Sequence, residues 1–137
     1  MMALQQAFLV LIAAQHFGFL VLEMFFWTKP LGLKVFRQSL AQAEASRVLA
    51  ANQGLYNGFL SAGLIWALIE KNSEIQMKVS LFFLTCVLLA GLYGAKTVNL
   101  RIFWIQGLPA LIAILITCIS LSYSFLSTAR SLRFSLF

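Results

Sequence analysis

The stretch LQQAFLVLIAAQHFGFLVLEMFFW, Leu4–Trp27, decides the class of fold, because it is apolar over a length that crosses a bilayer as a helix and yet holds His16 and Glu23. An ionisable group inside such a run is expensive, so it is expected to face other helices and to be kept for use. On a helix, a separation of seven residues sets the two side chains within about 20° of each other and about 10 Å apart along the axis. That is too far for a direct hydrogen bond. Leu9, Ile12, Phe19, Leu20 and Trp27 share the face, so His16 and Glu23 form one polar line turned toward the rest of the molecule.

Working outward, three more apolar runs follow, and the spans are expected at about 4–27, 47–69, 79–99 and 102–125. Trp27-Thr28-Lys29-Pro30 closes the first with an aromatic anchor, a cation and a proline, and Glu70-Lys71-Asn72 closes the second. The connection over 31–44 carries Lys34 and Arg37 among Leu31, Leu33, Val35, Phe36 and Leu40, which suits a segment lying on the membrane surface. Pro109, inside the fourth run, removes a backbone donor and predicts a kink beside Gln106. The tail Leu126–Phe137, with Arg130 and Arg133, is read as interfacial or frayed. The expected fold is therefore all-α: one domain over residues 1–137, a polytopic membrane protein with four transmembrane helices in a compact bundle. No tandem or inverted repeat is evident.

Composition agrees. Hydrophobic residues make up 61% of the chain and charged ones 10%, with a mean hydropathy of +0.91, more apolar surface than a soluble domain of 137 residues can bury. The net charge of +6 would suggest nucleic acid in a soluble chain. Here the Lys and Arg residues fall in or beside the gaps between apolar runs, so the expected partner is the lipid bilayer and not nucleic acid. Cys86 and Cys118 each lie inside an apolar run with no second Cys or His at ligand spacing. They are read as small packing residues, and no metal or cofactor is expected. Met1–Ala3 lacks the basic start of a secretory signal.

Four spans put both termini on one side. Lys29, Lys34, Arg37, Arg47, Lys96 and Arg101 belong to the first and third loops, while Lys71, Lys78, Arg130 and Arg133 belong to the second loop and the tail. Six cations against four place loops one and three in the cytoplasm and both termini outside.

The second run has its own line. Gln53, Asn57 and Ser61 recur every four residues beside Ala50, Gly54, Gly58 and Ala62. Gly54 to Gly58 is a GxxxG element, which admits close approach of another helix, in this chain or in a second copy. The amides of Gln53 and Asn57 must each find partners inside the bilayer. Alternation of the spans gives the cytoplasmic half Glu23, Asn52, Gln53, Tyr93, Thr97, Asn99 and Gln106, with His16 and Asn57 at its floor. The outer half, over residues 7–14, 59–68, 81–89 and 111–121, is nearly apolar. The reading is a polar pocket open to the cytoplasm above an apolar plug. Structural roles compete with it: Glu23 snorkelling or pairing with Arg47 or Lys96, and His16 bonding an amide such as Asn57.

Several segments carry a resemblance: Leu22-Glu23-Met24-Phe25-Phe26-Trp27-Thr28, then Leu49-Ala50-Ala51-Asn52-Gln53-Gly54-Leu55-Tyr56-Asn57-Gly58-Phe59-Leu60, Gly91-Leu92-Tyr93-Gly94-Ala95 and Gln106-Gly107-Leu108-Pro109-Ala110-Leu111. With His16 they resemble the domain of unknown function 1304 family, small integral membrane proteins of bacteria and fungi. The resemblance implies four membrane helices and no established activity. It also implies that Glu23, Asn52, Gln53, Tyr56 and Asn57 share one site.

Three functions compete. In the first, His16, Glu23, Asn52, Gln53, Tyr56, Asn57, Tyr93 and Gln106 bind or transport a small or amphipathic ligand, with Glu23 holding a proton or a cationic, partly apolar molecule. One carboxylate in the first of four short spans is similar in plan to small multidrug resistance transporters, although the histidine, the amides and the long first loop depart from them. In the second, His16 and Glu23 serve as acid and base on a lipid-soluble substrate, but no nucleophile elbow, phosphate loop or metal motif names a reaction. In the third, the polar line only fixes helix register in an accessory subunit.

Overall fold

The computed structural model describes the backbone of residues 2–134 and the side chains of residues 3–123, so the Arg130 and Arg133 side chains and the end of the tail lie outside the described residues. Among the described residues the chain is all-helical: α1 (Met2–Phe25), α2 (Pro30–Phe36), α3 (Leu40–Ile69), α4 (Ser73–Thr97), a π-helical turn (Phe103–Gly107) and α5 (Leu108–Phe134). Five α-helices thus stand where four were expected. The extra one is α2, inside the interval expected to lie at the interface.

The connection between the first two long helices covers 26–39 and so lies earlier than the expected 31–44, and local chemistry gives the reason. Pro30 opens α2 with a φ already suited to a helix, and Arg37 ends it in the left-handed region at φ 54°. Ser39 then caps α3: its hydroxyl accepts from the Gln42 N–H at 3.3 Å, and the Gln42 side chain accepts from the Ser39 N–H at 2.9 Å. This capping box starts α3 at Leu40. In the same way Asn72 accepts from the N–H groups of Glu74 and Ile75, which starts α4 at Ser73, ahead of the expected Val79.

Ala3–Phe25, Ser73–Thr97 and Phe103–Tyr123 are helices long and apolar enough to cross a membrane. α3 has the length, but Asn52, Gln53, Tyr56 and Asn57, together with its glycines, dilute its apolar character. The four long helices pack in a ring, α1 on α3, α3 on α4, α4 on α5 and α5 back on α1. Leu9, Ile12, Ala13, Leu64, Ala67, Leu84, Val87, Ala110 and Ala113 form the buried core. Large apolar side chains such as Phe17, Phe59, Phe82 and Ile119 point outward, an arrangement that suits lipid and not water.

Two close approaches set the spacing. A Cβ on Gly54 would fall 2.7 Å from Met24 Cγ, 3.1 Å from Glu23 Cβ and 3.2 Å from the Leu20 carbonyl oxygen, so the small-residue ridge of α3 rests against α1 of the same chain. A Cβ on Gly91 would fall 2.8 Å from the Gly107 backbone, so α4 touches the π-turn main chain to main chain.

Candidate functional site

α1 and α3 together build a clamp. Gln53 and Asn57 lie one turn apart on α3, so their amides project from one side of the helix toward the same height on α1. Gln53 Nε2 donates to Glu23 Oε1 at 3.0 Å, and Asn57 Nδ2 donates to Glu23 Oε2 at 2.7 Å. Each carboxylate oxygen has its own donor. Glu23 is only 3% exposed and Asn57 is buried, whereas Gln53 reaches the surface. The clamp therefore lies just beneath the outside of the α1–α3 seam. Gly54, between the two amides in sequence, is what lets α1 come near enough for both bonds.

Glu23 was expected to pair with Arg47 or Lys96 if its role were structural. Neither pairing forms: among the described residues the ion pair is Lys78 with Glu74, one turn apart on α4. His16 does not bond Asn57 either, because that amide is committed to Glu23. The imidazole is fully buried, and its Nδ1 sits 2.9 Å from the Ile12 carbonyl oxygen, which can only accept. Nδ1 thus carries a proton, and in the neutral ring Nε2 is a bare acceptor; it is buried and without a partner among the described residues. Phe19 meets the ring edge-on at a centroid distance of 5.7 Å.

Of the eight residues expected at the site, Glu23, Gln53 and Asn57 come together, and His16 is buried apart from them on α1. The others are elsewhere. Asn52 is exposed, Tyr56 is 58% exposed with its ring edge-on to Phe59, Tyr93 is 72% exposed, and Gln106 is half-buried in the π-turn. Neither of two clefts on the surface of the described residues is lined by Glu23 or His16. One, of about 160 Å³, is lined by Met24, Phe25, Trp27, Thr28, Lys29 and Arg47. The other, of about 390 Å³, is an apolar groove between α1 and α3 lined by Val10, Ala13, Ala14, Phe17, Ser61, Ile65 and Leu68.

Gln15 is a polar residue that reading the sequence missed. Pro109 has no N–H to give the carbonyl four residues back, Ile105, and the chain answers with a π-turn, the Leu108 N–H bonding the Phe103 carbonyl instead. Gln15 Nε2 on α1 fills the vacancy, donating to the Ile105 carbonyl oxygen at 2.8 Å. Asking which carbonyl Pro109 orphans would have found it. Ser61 ties α3 to α1 in a similar way, its hydroxyl donating to the Ala13 carbonyl at 2.9 Å.

Comparison with known proteins gives a family without an activity. The profile described as Protein of unknown function (DUF1304) matches residues 10–118. The Uncharacterized protein YpaA of Lactococcus lactis subsp. lactis (strain IL1403) is 33% identical over 108 residues, covering 77% of this chain and 89% of that protein. No solved structure matches.

Proposed function

Since the chain belongs to the DUF1304 family of proteins of unknown function, its role has to be argued from its own residues, and we propose that it is a four-span integral membrane protein that binds or transports a small or amphipathic ligand at Glu23, in exchange for a proton. The observation that carries this reading is the clamp itself: a buried carboxylate held by two amides and, among the described residues, by no cation. Burying a charge between helices is a poor way to gain stability, since apolar residues of similar volume pack as well or better. A carboxylate paired with arginine would be locked in its charged form. An amide can present either N–H or C=O, so Gln53 and Asn57 can serve both the ionised and the protonated acid.

α3 supplies the fourth span. Its residues 47–69 cover roughly 35 Å at 1.5 Å per residue, enough for the hydrocarbon thickness, and two of its polar side chains are satisfied on α1. With the cation excess on loops one and three, the clamp lies toward the cytoplasmic face and both termini lie outside. The apolar core over Leu9, Ile12, Leu64, Leu84 and Ala113 is the plug on the other side.

The accessory-subunit reading has one observation in its favour, namely that both Glu23 oxygens are already satisfied and neither cleft reaches them. Equilibrium dialysis with tetraphenylphosphonium, a lipophilic cation, separates the two. Purified protein should bind it and Glu23→Gln, which keeps the size and polarity of the side chain, should not. Equal binding by both would favour the accessory subunit.

A further inference from the structure

A cleft of about 160 Å³ where α1 gives way to α2, beside α3, is lined by two cationic residues, Lys29 and Arg47, together with Trp27, Thr28 and the exposed apolar residues Met24 and Phe25. The nearest buried carboxylate, Glu23, is one residue from Met24 in the lining, yet it is spent on Gln53 and Asn57. Glu44, three residues before Arg47, makes no ion pair with it among the described residues. Two cationic residues therefore line one cavity, and among the described residues neither makes an ion pair. The wall is held in place: Trp27 Nε1 donates to Ser46 Oγ at 3.2 Å, and the Trp27 ring packs on Phe36 of α2 at 4.6 Å. These contacts bind the end of α1 to both α2 and α3.

The geometry points to a site for the phosphate of an anionic phospholipid. The phosphate would sit between Lys29 and Arg47 and its acyl chains would run down the exposed faces of Met24 and Phe25. Four features fit that ligand. The cavity has room for a phosphate with water around it. Arginine suits the paired oxygens of a phosphate, and lysine adds a point charge. Trp27 marks the depth of the headgroups. α2, next in the chain, exposes Leu31 and Val35, as a helix lying at the headgroup boundary does. Basic pockets between membrane helices hold anionic headgroups in this manner. The site stands whether or not Glu23 exchanges a ligand.

Native mass spectrometry of the full chain in neutral detergent, with dioleoylphosphatidylglycerol or dioleoylphosphatidylcholine added, tests it. The chain should retain the anionic lipid about tenfold more tightly than the zwitterionic one, and Lys29→Gln/Arg47→Gln should lose most of that preference. Lys34→Gln/Arg37→Gln removes the same charge from the same loop outside the cleft and should keep it. Lys29→Arg/Arg47→Lys should also keep it, which separates loss of the site from loss of the fold. Equal losses in the two glutamine pairs would overturn the cleft in favour of diffuse attraction to a basic loop. Glycerol phosphate binding as tightly as the lipid would overturn the lipid as the ligand.

Discussion

Asn57 gives the one donor that Glu23 Oε2 receives among the described residues, so replacing it with leucine strands a buried oxygen. Asn57→Leu should cost about 1–3 kcal/mol, read as a lower Tm in detergent, while Glu23→Leu/Asn57→Leu should recover part of the loss because both polar partners are gone. A simple sum of the two single effects would mean that the bond carries no coupling. Gln15 belongs to a second cycle of the same kind. Gln15→Leu exposes the carbonyl that Pro109 orphans, at about 1 kcal/mol, whereas Pro109→Ala restores a backbone donor. Gln15→Leu should therefore be milder in the Pro109→Ala background, and equal costs in both backgrounds would show that Ile105 does not need the amide.

Among the elements, what a methyl group would meet decides how each glycine responds. Gly91→Ala would press against the Gly107 main chain, which cannot move aside as a side chain can, and should be more damaging than Gly94→Ala, whose new methyl group would meet only the Ile102 side chain. Gly18 has nothing within 4 Å of a new Cβ, so Gly18→Ala should be neutral or gain up to about 1 kcal/mol from helix propensity. Thermal melting of the three variants checks both, and similar Tm values would remove the close contact of α4 with the π-turn from the account. Much of this was legible beforehand. Glu70-Lys71-Asn72 marks a real break, and the four-residue spacing of Gln53 and Asn57 correctly puts them on one side of α3. The start of α3 was legible too, since Ser39 and Gln42 spell a capping box, but the apolar pattern drew attention to Arg47 instead. Asn52 and Tyr56 lie away from the Glu23 clamp for a geometric reason. Each is two residues from Gly54, about 200° round the helix, so a ridge that faces α1 sends both to the other side. Gln15 was hidden because its partner is a backbone carbonyl ninety residues away, which no side-chain pattern reveals.

For the whole molecule, the apolar exterior and the placement of cations make topology the first thing to establish. With Cys86 and Cys118 replaced, Ser73→Cys at the exposed start of α4 should react with an impermeant thiol reagent on intact cells, and Ala41→Cys, at the exposed start of α3, should not. The opposite pattern would invert the protein, and labelling of both would place α3 outside the bilayer. The larger question is whether the ring of helices is built around an exchangeable acid or merely fastened by one. A lipophilic cation that takes the place of a proton must release it to the buffer, so the heat of binding depends on the buffer's own ionisation. Isothermal titration of tetraphenylphosphonium into the purified protein, in two buffers of different ionisation enthalpy, measures that proton directly. The account predicts binding with proton release in the wild type and neither in Glu23→Gln; binding with no proton released, or the same release in both proteins, would contradict it.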